Sequence, residues 1–310
     1  MKYIVYVFMA LVMVGCKENK SETKDDETKV RKDFLYAIHM SAFDYELYVN
    51  DIIVSNNING NGESAVNSLL PYMFKPGVQK MRIKIKASTS KYGIKKINYN
   101  HIADKKIEIG KYDAAVPNEI ERIEMIYKLE FDPFEGEVSE IEKEWTFEIN
   151  DVMKVDNLDN STDLRLMKEE VLQEEVLSKF EELRYNLDQG KSKKVLESIE
   201  KTLNMMMYLE ELSSPEQRDF KSNFKKYFDS SKGSLPKLSN YNMKIMGDGR
   251  AVVLEYAAGE LEGLGILSSV RLNGKKVNSN YIILHKPKST GVFEVFRYDC
   301  RFWSNPNRAN

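Results

Sequence analysis

Cysteine and histidine are scarce in this chain of 310 residues: Cys16 and Cys300 are the only thiols, and His39, His101 and His285 the only imidazoles. No histidine has a second histidine or cysteine at metal-ligand spacing, which argues against the usual zinc centres. One-sided charge is also missing. The 46 basic and 48 acidic residues leave a formal net charge of −2, so there is no electrostatic footprint for nucleic acid. No Gly-x-Ser-x-Gly nucleophile elbow and no phosphate-cradling glycine loop occurs. The apolar run Tyr3–Val14 is about 12 residues long, short of the roughly 20 a helix needs to span a bilayer.

That run is nonetheless the most informative segment. Met1-Lys2, a short apolar core and Gly15-Cys16 have the order of a secretion signal. Val12-Met13-Val14-Gly15-Cys16 resembles the bacterial lipoprotein lipobox, with Met13 where leucine is usual. The resemblance implies that residues 1–15 are a signal peptide and that Cys16 carries a diacylglycerol and becomes the first residue of the mature chain. Two acyl chains give a stable membrane anchor where one gives only marginal binding. Lipidation of Cys16 leaves Cys300 without an internal disulfide partner, and Cys300 then reads as a small buried hydrophobe. Residues 16–32 are almost purely polar or charged after Cys16 and read as a disordered tether, with a root-mean-square reach of roughly 20–25 Å. In one bacterial sorting scheme an aspartate after the lipidated cysteine retains the protein in the inner membrane. Lys17 stands there, which implies the outer membrane. The start Lys17-Glu18-Asn19-Lys20 is also somewhat similar to surface-export signals.

Residues 33–151 carry strand-like patterning. Phe43, Tyr45, Leu47 and Val49 alternate with polar neighbours before an Asn50-Asp51 turn, and Met81–Lys86 presents one apolar and one basic face. Further strands are predicted at Lys106–Ile109, Ile123–Phe131 and Trp145–Ile149. Short strands with turn signals between them predict an antiparallel β-sandwich. The Val49-Asn50-Asp51 turn and Lys75-Pro76-Gly77-Val78-Gln79 resemble jelly-roll domains that accompany sugar-processing enzymes.

Residues 152–163 read as a polar linker. Asp151, Asp156, Asn157, Asp159, Asn160 and Asp163 lack the central glycine and terminal glutamate of a calcium loop. From 164 to 310, three helices are predicted. The first carries an apolar stripe from Leu164 to Leu187 and stops at Gly190, and the second runs from Val195 to Met207. The third starts at Ser214-Pro215-Glu216-Gln217, with Ser214 as the cap, and carries Phe220, Phe224, Tyr227 and Phe228. Strands follow at Tyr241–Met246, Ala251–Tyr256, Leu267–Leu272, Lys276–Val277, Tyr281–His285 and Val292–Tyr298, with tight turns at Gly247-Asp248-Gly249 and Asn273-Gly274. The expected fold is α+β with two domains: an antiparallel β-sandwich, then three helices with an antiparallel sheet. The order of the second unit is similar to NTF2-like and cystatin-like cone folds.

The resemblance to cone folds implies a ligand pocket between sheet and helices, to which Glu255, His285 and Arg297 would contribute. A buried His–carboxylate pair there would suit acid–base chemistry, whereas His285 followed by Lys286-Pro287 also reads as a strand-end surface residue. Trp145, Trp303 and the 17 tyrosines offer sugar-stacking faces or ordinary core. Met205-Met206-Met207 offers an adaptable surface or core. The chain is therefore expected to be a non-enzymatic envelope protein without cofactor or metal, lipid-anchored through Cys16, that binds a protein or glycan partner. Its alternatives are an immunity-type lipoprotein that neutralises a secreted toxin and a glycan-binding lipoprotein in nutrient capture.

Overall fold

The computed structural model describes residues 32–40, 43–58, 65–87, 93–113, 123–259, 261–271 and 276–304. Cys16, the signal-like segment and the Asn273-Gly274 turn lie outside them. The described chain is α+β, with 13 strands in three antiparallel sheets and five helices.

The first sheet orders β4 (Ala65–Ser68), β1 (Lys32–His39), β6 (Lys106–Asp113) and β7 (Glu124–Glu130). Lys32, the last residue of the expected tether, is thus the first of β1. The second sheet orders β3 (Ile52–Asn57), β2 (Phe43–Val49), β5 (Gly77–Ala87) and β8 (Glu140–Ile149). Strand alternation sends Met81, Ile83 and Ile85 of β5 inward, where they share one apolar cluster with Tyr36, Ile38, Ile107 and Ile109 of the first sheet. The outward residues of β5 pair with acids: Lys80 lies 3.3 Å from Glu144, and Arg82 3.3 Å from Glu142. Asn50 and Asp51, at φ 50° and 60°, make the β2–β3 turn that their residue types predict. The edge strands β7 and β8 are joined by side chains. Tyr127 Oη donates to the Glu148 carbonyl at 2.9 Å, and Trp145 Nε1 to the Glu130 carbonyl at 3.1 Å. Helix α1 (Tyr99–Ile102) is a single capped turn whose Tyr99 lies edge-on to Phe134, between β7 and β8 in the chain.

Four helices follow: α2 (Glu169–Asp188), α3 (Ser192–Ser198), α4 (Glu200–Leu209) and α5 (Ser214–Asp229). Helix α2 ends in a Schellman motif. Gly190 takes φ 67°, its N–H reaches the Leu187 carbonyl at 3.0 Å, and the Lys191 N–H reaches Asn186 at 2.8 Å. The predicted second helix is divided into α3 and α4 at Ile199, where φ falls to −108°. The α5 cap is Ser213, one residue before the sequence-based choice. The Glu216 carboxylate accepts the Ser213 N–H at 2.8 Å, so the box closes on Glu216 and not on Gln217.

The third sheet holds β9 (Tyr241–Met246), β10 (Ala251–Tyr256), β11 (Leu267–Arg271), β12 (Lys276–His285) and β13 (Glu294–Ser304). It is not a simple meander. β10 and β11 lie end to end along one side of β12, and β13 lies along the other. Residues between them leave and return as a small excursion, closed by the Ile266 N–H on the Leu254 carbonyl at 2.9 Å. Gly265 permits the crossing, because a Cβ there would lie 2.5 Å from the Asn280 carbonyl oxygen. The predicted break between Val277 and Tyr281 is absent. Asn278, Ser279 and Asn280 are buried mid-strand between β11 and β13.

Both faces of this sheet are covered. Val252, Leu254, Ile282 and Leu284 pack on the helices with Val176, Phe180 and Leu183. Ala251, Val253, Tyr281 and Ile283 face the other way and pack with Tyr48, Ile52 and Ile53 of the second sheet and with Leu158. Residues 152–163 are irregular but seated: Val155 and Leu158 are buried in different apolar clusters. No described helix is long and apolar enough to cross a membrane.

Candidate functional site

Glu255, His285 and Arg297 sit at the junction with the N-terminal sheets, not between sheet and helices. Alternation explains the side. Glu255 continues the Ala251–Val253 row and His285 the Tyr281–Ile283 row, and both rows face away from the helices. Each of the three is held by its own partners.

Glu255 is the innermost charge, 1% exposed. Lys244 Nζ lies 2.5 Å from one of its oxygens, and Tyr281 Oη donates to the other. The same lysine bridges across the junction to Glu46 of β2, whose second oxygen accepts from Tyr48 Oη at 2.9 Å. One ammonium is therefore shared by two carboxylates that approach from opposite sides. Burial would raise Glu46, but Lys244, Tyr48 and Lys86 outweigh it and hold its carboxyl below the ordinary range. Burial pushes Glu255 up, against the pull of Lys244 and Tyr281. Burial is likewise outweighed at Lys244, which the two carboxylates hold above the usual lysine value.

His285 is half-buried, with Nδ1 2.9 Å from the Ser161 hydroxyl and its ring centroid 5.2 Å from that of Phe296. Burial lowers its pKa to about 4, so the imidazole is neutral near pH 7. Its cross-strand neighbour Glu294 is bound by Lys201 at 2.5 Å. The hydrogen-bond partner of His285 is thus a hydroxyl, and the His–carboxylate pair that acid–base chemistry would use is not assembled.

Arg297 is 5% exposed and its partners are carbonyls. It donates to Pro71 at 3.0 Å, Asp156 at 2.7 Å and Phe296 at 2.8 Å, and its guanidinium lies 3.9 Å over the Phe296 ring. It pins the segment before β5, the 152–163 segment and the third sheet together. Burial lowers its pKa to about 10, which leaves it protonated at neutral pH.

Turns complete the junction. The Gly247 N–H donates to the Asp51 carbonyl at 2.9 Å, and the Asp248 N–H to the Asp51 carboxylate at 2.9 Å. Asp51 also accepts from Arg82 at 2.7 Å. Sequence reasoning missed Glu46, Lys244 and Asp51, because nothing in a strand pattern says which surface will meet another.

The remaining candidates have structural partners. Trp145 and Tyr127 are only partly exposed and link β7 to β8, with Phe131 edge-on to Trp145 at 5.3 Å. Met205 and Met207 are buried and Met206 is half-buried. His39 contacts Glu108 at 3.1 Å, and His101 caps α1 with Asn98. In residues 151–163, Asp159 and Asn157 form a local turn and Asp163 binds Arg165 at 2.7 Å. Among the described residues no group of three or more His, Cys, Asp or Glu side chains could hold a metal ion. The side chains of Cys300 and Trp303 lie outside the described set. On the outer helical surface, a shallow open depression between α2 and α3 is lined by Glu182, Tyr185, Asn186, Lys194, Glu197 and Ser198.

No protein-family model matches the chain, and neither a curated protein nor a solved structure matches it.

Proposed function

We propose that the chain is a lipid-anchored protein of the bacterial cell envelope that acts by binding and not by catalysis. It has two domains, a β-sandwich at about 33–151 and a helix-and-sheet domain from 164 onward; Cys16 is the membrane anchor, and Lys17 after it favours the outer membrane. The anchor rests on the lipobox-like run ending at Cys16. The observation that carries the binding reading is the occupied junction. Glu255, His285 and Arg297 are engaged by Lys244, Ser161 and backbone carbonyls, so function is left to the outer surfaces.

Two measurements test this. Metabolic labelling with palmitate should mark the protein and be abolished in Cys16→Ser; equal labelling of both would refute the anchor. Affinity isolation of the native lipoprotein from detergent-solubilised envelope should yield a saturable ligand or one stoichiometric partner. That recovery should be unchanged in His285→Asn. Turnover of a co-purifying small molecule that His285→Asn abolishes would contradict the non-catalytic reading.

A further inference from the structure

A terminal strand leaves one row of backbone groups without a ladder, and β8 is such a strand. It pairs with β5 on one side and ends its sheet on the other. Tyr127 Oη accepts the Glu148 N–H at 3.3 Å and donates to the Glu148 carbonyl at 2.9 Å. Glu148 therefore turns its backbone groups away from β5, and by the two-residue alternation of the ladder so do Glu140, Glu142, Glu144 and Thr146. Ser139, of the other parity, gives its carbonyl to the Ala87 N–H at 3.2 Å. Among the described residues no backbone group pairs with the outward row from Glu140 to Thr146. Tyr127 closes that open stretch at Glu148.

The side chains along this edge say what would fit it. Across β2, β5 and β8 the outer face reads Asp44–Lys86–Glu140, then Glu46–Lys84–Glu142, then Tyr48–Arg82–Glu144. The central strand is basic and the terminal strand acidic. Glu142 lies 3.3 Å from Arg82 and 3.5 Å from Lys84, and Glu144 3.3 Å from Lys80, yet the two side chains remain 53% and 47% exposed. On the inner face Ile141, Lys143 and Trp145 are only half-buried, whereas Ile85, Ile83 and Met81 opposite them on β5 are wholly covered. The strand that β8 already accepts on its paired side, Lys80–Lys86, is basic at alternate positions and apolar between them. A second copy's β8 would set glutamate against glutamate, and like charges directly opposite destabilise a strand pair. Charge complementarity therefore selects a basic occupant.

We infer that the free edge of β8, from Glu140 to Thr146, docks an extended segment of a partner protein that carries lysine or arginine at alternate positions and apolar residues between them. Its backbone completes the outward row of hydrogen bonds, its cations meet Glu140, Glu142 and Glu144, and its apolar side chains cover Ile141 and Trp145. The inference deepens the binding reading and rests on it.

The test is fluorescence anisotropy of a labelled, capped peptide that alternates lysine with valine, titrated with the full lipidated protein in detergent at low salt. Binding should saturate. N-methylation of the amides on the edge that would face β8 should abolish it, because the backbone row can then no longer form. Glu142→Gln combined with Glu144→Gln, both at exposed positions, should weaken binding about threefold or more. Glu144→Pro removes one outward N–H without touching the β5 ladder and should also weaken binding, so the test does not depend on a single variant. Absence of saturable binding, equal binding of the N-methylated peptide, or equal binding by wild type and both variants overturns the site. If the edge fails while the native lipoprotein still recovers a stoichiometric protein partner, the binding reading stands without it.

Discussion

Two polar regions of this molecule contrast sharply. At the junction, Glu46, Lys244, Glu255, Tyr281 and Arg297 are deeply placed and partnered. In the open α2–α3 depression the charged lining residues face solvent, with Glu182 bridged to Lys179 and Glu197 3.9 Å from Lys193. Buried polar groups are normally hydrogen-bonded, so burial alone does not mark a site. The junction has the residue types of an active site in the geometry of a clasp. The depression has ion pairs that stay within single helices and join nothing across the fold.

The junction can be broken most severely at Arg297. Arg297→Met keeps the volume but leaves the carbonyls of Pro71 and Asp156 without their donor, and we expect a loss of about 3–5 kcal/mol in chemical denaturation. A loss below about 1 kcal/mol would mean that water satisfies those carbonyls equally well.

Next comes the shared lysine. Lys244→Met strands two carboxylates and should cost about 2–4 kcal/mol. Adding Glu255→Gln should recover part of that, because the amide needs no counter-ion. A double-mutant cycle on urea midpoints measures the coupling, and strict additivity would show that the pair does not act as one.

The third effect is a pH dependence. His285 is held neutral, with a folded value of about 4 against an ordinary 6.5. Between those values the unfolded chain binds the extra proton. The contribution is therefore intact above pH 6.5 and lost as pH falls toward about 4, on the order of 1–3 kcal/mol. His285→Asn should flatten that limb of the stability curve, and an unchanged slope would assign it to other groups.

The smallest effect is the α5 cap. Glu216→Ala removes the carboxylate that accepts the Ser213 N–H and should cost about 0.5–1 kcal/mol. Gln217→Ala should cost less, which separates the observed Ser213–Glu216 cap from the Ser214–Gln217 pairing one residue later.

These contrasts also show how far the sequence could be read. β9 and β10 appear with the predicted ends, because Gly247-Asp248-Gly249 supplies positive φ between two apolar runs. The alternation in β5 likewise identifies its buried face. Asn278-Ser279-Asn280 misleads, since local polarity reads as a break while β11 and β13 bury it from both sides. The candidate residues were legible as polar side chains within strands, and a period of two shows which of them share a face. It does not show what covers that face. Glu255 and His285 therefore emerge against β2 and the 152–163 segment and not beneath the helices.

The most direct test of the junction as a clasp is hydrogen exchange read by mass spectrometry on wild type and Lys244→Met. If the clasp joins the two parts, peptides from β2–β3 and from β10–β12 should share one opening free energy and lose protection together in the variant. Loss confined to one of the two, with the other unchanged, would contradict it.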